Sequence, residues 1–271
     1  MEEVLELVGK EDGPTSMVLV GVHGDETCGV EALKALFPSL VIARGRVFVG
    51  YGNPPAISAR KRFLERNLNR MFVSDDTLSP EDMESYEYKR AQYLKPYLQK
   101  SGAVLDVHAN PWKEKQTFVI CESNATDIAN FLPTNLLVSG FDAVEPGGAD
   151  YYMNSIGKIG ICFECGYLDD EYSRKTAGEA MMAFLKARGH IENDIVPEVQ
   201  SRVHIFYKGH AKTNNFKLSR QFTNFERITK GEIIGMDGGE AVVAPKDCLI
   251  LFARNGYIPG ADVFLLGEVL P

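Results

Sequence analysis

Three short apolar runs constrain this chain most: Met17-Val18-Leu19-Val20, Ala103 to Val107, and Ile159 to Phe163. A strand with one wet face alternates apolar and polar residues, whereas a strand buried on both faces reads as a near-continuous apolar run. All three runs therefore read as central strands, and each gives way at its far end to a polar cluster. Helix-like segments lie between them. Val30 to Phe37 repeats apolar residues at helical spacing and stops at Pro38. Ser79-Pro80-Glu81-Asp82 has the order of a capping serine, a first-turn proline and dipole-matched acids, and predicts a helix to about Gln99 with Gly102 as its stop. Glu171 to Ala187 reads as an amphipathic helix closed by Gly189. Val47-Phe48-Val49 is a further strand, ended by Gly50 and the turn-like Asn53-Pro54-Pro55. The alternation predicts an α/β fold with a mostly parallel or mixed central sheet flanked by helices.

Past Pro197 the texture changes. Short strand-like runs (Glu232 to Ile234, Ala241 to Val243, Cys248 to Phe252, Val263 to Leu266) are separated by Gly, Asp and Pro turns, as in a small all-β domain. The expected boundary lies between about 190 and 205, giving domains 1–197 and 198–271. A chain of 271 residues can bury a core in both. Its formal charge of -8 argues against a nucleic-acid partner, which requires a basic stripe, but not against an anionic ligand in a locally basic cleft. No apolar run is long enough to span a bilayer, and the start Met1-Glu2-Glu3 is acidic where a secretory signal would be basic, so no membrane partner and a cytoplasmic location are expected. The five cysteines (Cys28, Cys121, Cys162, Cys165, Cys248) are odd in number and irregular in spacing, which argues against a disulfide framework.

The chemistry-bearing residues cluster where strands end, the place at which open α/β sheets bind ligands. Gly21-Val22-His23-Gly24-Asp25-Glu26 follows the first run. His and Glu three apart in a glycine-flanked turn can reach one metal ion; the same residues also fit a turn with a capping acid before a helix. Leu105-Asp106-Val107-His108-Ala109-Asn110 closes the second run with Asp106 and His108 on one face, so that His108 is a candidate third ligand and Asp106 either an acceptor for a ligating imidazole or a strand-end acid binding nearby backbone. Cys162-Phe163-Glu164-Cys165-Gly166 ends the third. A carboxylate there is costly to bury without a task, and desolvation suits it to general-base work. A redox or zinc Cys-x-x-Cys is the competing reading, disfavoured because strand residues three apart diverge. The run Arg60 to Arg70 is either a solvated charged surface or, through Arg62 and Arg70, a grip on an anionic substrate.

Taken in order, these motifs resemble the succinylglutamate desuccinylase and aspartoacylase family, a branch of the zinc carboxypeptidase-like fold. Gly-Val-His-Gly-Asp-Glu is similar to its His-x-x-Glu zinc motif, Asn67-Leu68-Asn69-Arg70 to its Asp-Leu-Asn-Arg substrate motif, Asp106-Val107-His108 to its third-ligand motif and Glu164-Cys165-Gly166 to its general-base motif; Tyr86 to Ala91 resembles the helix between. The resemblance implies one Zn2+ on His23, Glu26 and His108, Glu164 as base, Arg62 polarising the scissile carbonyl, and Asn69 and Arg70 holding a substrate carboxylate. It implies hydrolysis of a linear, non-peptide amide in a small N-acyl amino acid, and a C-terminal β domain that caps the cleft, with Tyr257 as its candidate contribution. Two departures stand out: Asn67 replaces the family's aspartate, a change expected to be structural, and Asn154 stands ten residues before Glu164, where aspartoacylases carry an arginine. A metallocarboxypeptidase trimming short peptides and an inactive binding module on the same scaffold remain the alternative readings.

Overall fold

The computed structural model describes residues 3–113, 115–168, 170–192, 194–198 and 200–271; Met1 and Glu2 of the acidic start lie outside the described residues. In chain order the strands are β1 (Leu5–Val8), β2 (Glu11–Val20), β3 (Arg44–Tyr51), β4 (Ala103–Asn110), β5 (Phe118–Cys121), β6 (Leu136–Ser139), β7 (Ile159–Tyr167), β8 (Ser201–His210), β9 (Lys217–Leu218), β10 (Glu226–Ile228), β11 (Ile233–Asp237), β12 (Glu240–Val243), β13 (Cys248–Leu251) and β14 (Asp262–Val269). The helices are α1 (Thr27–Leu36), α2 (Pro54–Ala59), α3 (Pro80–Glu84), α4 (Tyr86–Lys100), α5 (Thr126–Ala129), α6 (Phe141–Val144), α7 (Ala149–Ser155) and α8 (Glu171–Ala187). Contacts divide the chain into two compact units, Met1–Leu137 with Glu145–Gln200, and Val138–Val144 with Ser201–Pro271.

The first unit carries the α/β architecture. Its strands run in the order β1-β3-β2-β4-β7-β5. The pairs β3–β2, β2–β4 and β4–β7 are parallel, while β1 and β5 pair antiparallel, so the sheet is mixed. Alternation along the strands sorts side chains onto two faces. Leu105, Val107, Ile161, Phe163 and Cys165 pack with α1 and α8 in one apolar cluster. Val104 belongs to the other cluster with Leu94 and Leu98 of α4 and Met153 of α7. The same alternation puts Asp106 and His108 on the α4–α7 side, beyond the apolar start of the strand. The cysteines of Cys162-x-x-Cys165 diverge accordingly: Cys165 joins the α1–α8 core, while Cys162 lies within the electrostatic reach of Asp150 and Glu164.

Two local expectations are corrected. The segment from Ser79 to about Gln99 is two helices, because Ser85 leaves helical geometry at ψ 156° and caps the second, its Oγ accepting from Tyr88 N at 3.1 Å. Asn53-Pro54-Pro55 is a helix start: Asn53 Oδ1 accepts from Ala56 N at 3.2 Å, and proline at the first positions has no N–H to strand.

In the second unit β8, β14, β13 and β10 form an antiparallel array, and β12, β11 and β9 a smaller sheet. Phe216, Ile234, Ile250 and Phe264 fill its core. Its helix is α6, ahead of the strands; among the described residues from 201 onward there is none. Tyr257 is 67% exposed.

Candidate active site

The site begins where β2 ends. After Val20 the chain turns at Gly21, with φ +66°, and brings His23 to the head of α1. Gly24 permits the close approach of α2: a Cβ there would lie 2.1 Å from the carbonyl carbon of Ala56. Glu26 occupies the N-cap position of α1 yet makes no capping hydrogen bond. Its carboxylate turns away from the helix. Oε1 lies 2.8 Å from His23 Nδ1 and accepts from Arg62 Nη1 at 2.9 Å; Oε2 lies 3.0 Å from His108 Nδ1 and accepts from Ala109 N at 3.0 Å.

His108 arrives from the end of β4, and Glu164 from the end of β7. The register places them as direct neighbours on adjacent parallel strands. A register irregularity follows at once, between His108 and Asn110, with Gly166 at φ +101° on the other strand. Asn110 Nδ2 donates to Glu164 Oε2 at 3.3 Å. His23, Glu26 and His108 are all buried, and one ligand atom from each lies within 4.8 Å of the others. The imidazole rings meet edge-on, with centroids 5.0 Å apart.

The outer nitrogens decide what this cluster fits. His23 Nε2 lies 3.0 Å from Asn67 Oδ1, and His108 Nε2 lies 3.1 Å from Asp106 Oδ2. The His108–Asp106 approach pairs the two side chains across the buried strand face. Each ring thus has an oxygen beside both nitrogens, and in the tautomer with the proton on Nε2 both Nδ1 lone pairs are aimed at the Glu26 carboxylate. Two imidazole nitrogens and a carboxylate with no proton between them suit a divalent cation, zinc among them.

Without a cation, protons must fill that role. Burial opposes charge on His108, but the Asp106 and Glu26 carboxylates overrule it and hold its pKa well above the ordinary value. Burial likewise opposes the Glu26 carboxylate, and the two imidazoles overrule it, so Glu26 titrates well below the usual range. For His23 burial wins and its pKa falls. Burial, reinforced by the negative charge of Glu26, pushes the Glu164 carboxyl up to about 7.

The basic run divides in two. Arg62 reaches the cluster through Glu26, with its side chain 46% exposed. Arg70 does not touch the cluster; its Nη1 donates to Asn69 O at 2.8 Å and its Nη2 pairs with Glu145. Asn69 Oδ1 is buried without a hydrogen-bond donor. Asn154 Oδ1 accepts from Gly160 N at 3.1 Å and from Asn124 Nδ2 at 3.4 Å, so this amide is tied into the local backbone.

Three organising residues were given no role of their own by the sequence reading. Glu87 is fully buried in α4, and its carboxylate accepts from Asn53 Nδ2 at 3.0 Å, Leu64 N at 2.8 Å and Arg66 N at 3.1 Å, pinning the loop beyond Arg62. Asn110 is the partner of Glu164, and Glu145 that of Arg70. A glutamate in an amphipathic helix reads as a surface residue until its backbone partners are seen.

Comparison with known proteins identifies the family. The profile of the succinylglutamate desuccinylase/aspartoacylase catalytic domain matches residues 12–187. Succinylglutamate desuccinylase of Shewanella woodyi is 37% identical over 278 residues, covering 91% of this chain and 79% of the relative. That of Shewanella sp. (strain MR-4) is 22% identical over 284 residues, covering 91% and 80%. The crystal structure of succinylglutamate desuccinylase from Vibrio cholerae shares the fold with a TM-score of 0.83 at 18% identity, covering 98% of this chain and 85% of that one. The chain belongs to the succinylglutamate desuccinylase/aspartoacylase family.

Proposed function

We propose that the chain is a zinc-dependent hydrolase that deacylates a small N-acyl amino acid bearing a free carboxylate. The observation that carries the reading is the convergence of His23, Glu26 and His108 on one point, with the Glu164 carboxyl, poised at about 7, on the strand beside His108. Zinc held by these three side chains would supply Lewis acidity toward the scissile carbonyl and acidify water. Glu164 takes a proton from the attacking water and returns it to the leaving amine, a task that suits a carboxyl titrating near neutrality. Asn110 orients that carboxylate through its amide. Arg62, half in solvent beside Glu26, is placed to stabilise the developing oxyanion. Asn69 and Arg70 fix the substrate carboxylate, so that the reacting atoms are held in register. The hydrolases named among its relatives support the choice of amide chemistry.

The test is turnover of N-acyl amino acids by zinc-loaded wild type and Glu164→Gln. Loss of a general base costs about 10²–10⁴-fold in kcat with zinc still bound. Equal turnover in the two proteins would contradict the assignment.

A further inference from the structure

The loop that carries Arg62 is not held by packing: from Lys61 to Arg66 every residue is exposed. Its backbone is what is fixed. Lys61 N donates to Ala56 O at 3.0 Å, and Arg62 O accepts from Gly24 N at 3.2 Å, one residue from His23. Beyond Phe63, three successive backbone N–H groups converge on one carboxylate. Glu87 Oε1 accepts from Leu64 N at 2.8 Å, and Oε2 accepts from Glu65 N at 3.3 Å and Arg66 N at 3.1 Å. Glu87 lies in the first turn of α4 and is fully buried. A carboxylate taken out of water is costly unless donors replace the water, and successive backbone N–H groups make such a nest. The fourth donor is Asn53 Nδ2, 3.0 Å from Oε1. Asn53 N in turn donates to Gly21 O at 2.9 Å, in the turn that leads to His23. Three residues further along α4, Arg90 Nε and Nη2 donate to Gly52 O at 2.9 Å and Tyr51 O at 2.7 Å, so the helix also grips the chain just ahead of Asn53.

Glu87 therefore ties two pieces of the site to one helix: the Gly21 turn through Asn53, and the loop beyond Arg62 directly. Arg62 lies between them. Its side chain is 46% exposed and reaches Glu26 Oε1 at 2.9 Å, so its direction is inherited from its backbone more than imposed by neighbours. A guanidinium displaced by about 1 Å from a developing oxyanion forfeits up to about 100-fold in rate. We propose that Glu87 is a positioning residue for turnover: its buried carboxylate sets the 62–66 loop against the His23 turn and so holds the Arg62 guanidinium beside Glu26. This rests on the deacylase reading above and deepens it.

A double-mutant cycle tests it: zinc-loaded wild type, Glu87→Gln, Arg62→Ala and the double variant, on the fastest-hydrolysed member of a panel of N-acetyl-L-amino acids, beside amide hydrogen exchange of wild type and Glu87→Gln. Glu87→Gln keeps the shape of the side chain but turns an N–H toward the backbone donors. It is expected to lower kcat about 10–100-fold with KM within about twofold, and to cost less than about twofold further in the Arg62→Ala background. An unchanged kcat, a loss carried by KM, or an equal loss with and without Arg62 would overturn the proposal. Should Glu87→Gln not fold, Glu87→Asp, charged but one methylene short, carries the same cycle and the same exchange measurement. Hydrolysis of no member of the panel by wild type would contradict the deacylase reading alone, and exchange then decides. Protection of the Leu64, Glu65 and Arg66 amides in wild type, lost in the Glu87 variant, sustains the positioning role; amides that exchange in wild type at the rate of an open loop, or that stay protected in the variant, overturn it.

Discussion

The buried His23–Glu26–His108 cluster and the arginine loop answer different physical demands within one unit. His23, Glu26, His108 and Glu164 are all less than a tenth exposed and are set on strand ends or on the glycine-shaped turn after β2. Arg62 and Arg70 lie on a loop with side chains 46% and 38% exposed, each engaged with a carboxylate of the chain. The first region is fixed by sheet register and low dielectric, so its electrostatics are strong and its geometry stiff. The second is held by a few partners, chiefly Glu87 and Glu145, and is free to re-pair with a ligand. The proposed function puts chemistry in the first and recognition in the second.

The difference is broken most severely at His108. His108→Ala removes one of the buried ligands and is expected to reduce both bound zinc and turnover to background; a variant that keeps zinc and rate would make His108 a bystander. On the loop, Arg70→Ala should raise KM for carboxylate-bearing substrates about 10–100-fold with kcat and zinc content nearly unchanged, as expected for a lost charge-assisted contact. A fall in kcat with KM constant would move Arg70 into the chemical step. Between the regions stands Asn67, which touches His23. Asn67→Ala is expected to weaken zinc about 10-fold in a chelator competition, the low end of what an imidazole's outer partner is worth; unchanged affinity would make the contact incidental.

A further effect is on stability rather than on binding or turnover. Glu164 binds its proton more tightly in the fold, at about 7, than at its ordinary 4.5. Between those values the metal-free fold holds a proton that the unfolded chain releases, so this contribution is complete below 4.5 and lost as pH rises through about 7. Its full size is on the order of 3 kcal/mol. The Tm of metal-free wild type should therefore fall relative to that of Glu164→Gln between pH 5 and about 8. Parallel curves would mean that the carboxyl is not perturbed.

The two regions also differed in how far the sequence revealed them. Unbroken apolar runs marked β2, β4 and β7, and the polar residues at their ends were legible because strand alternation and sheet ends follow from local pattern. Glu145 behind Arg70 and the task of Glu87 under the loop were not, since each acts on residues far off in sequence. Ser85 and Asn53 were missed for another reason. Both carry ordinary cap signals, but a longer helical pattern masked the first and a proline pair made the second read as a turn. Asn67 was expected to be structural; it lies against both His23 and the Arg70 turn.

The proposed function stands on the buried histidine–glutamate–histidine cluster holding a metal. The direct measurement is zinc content, by atomic emission, of wild type and His23→Ala after incubation with zinc and removal of the unbound ion. About one zinc per chain is expected in wild type and none in the variant. Wild type without bound zinc, or a variant that binds as much, would contradict it.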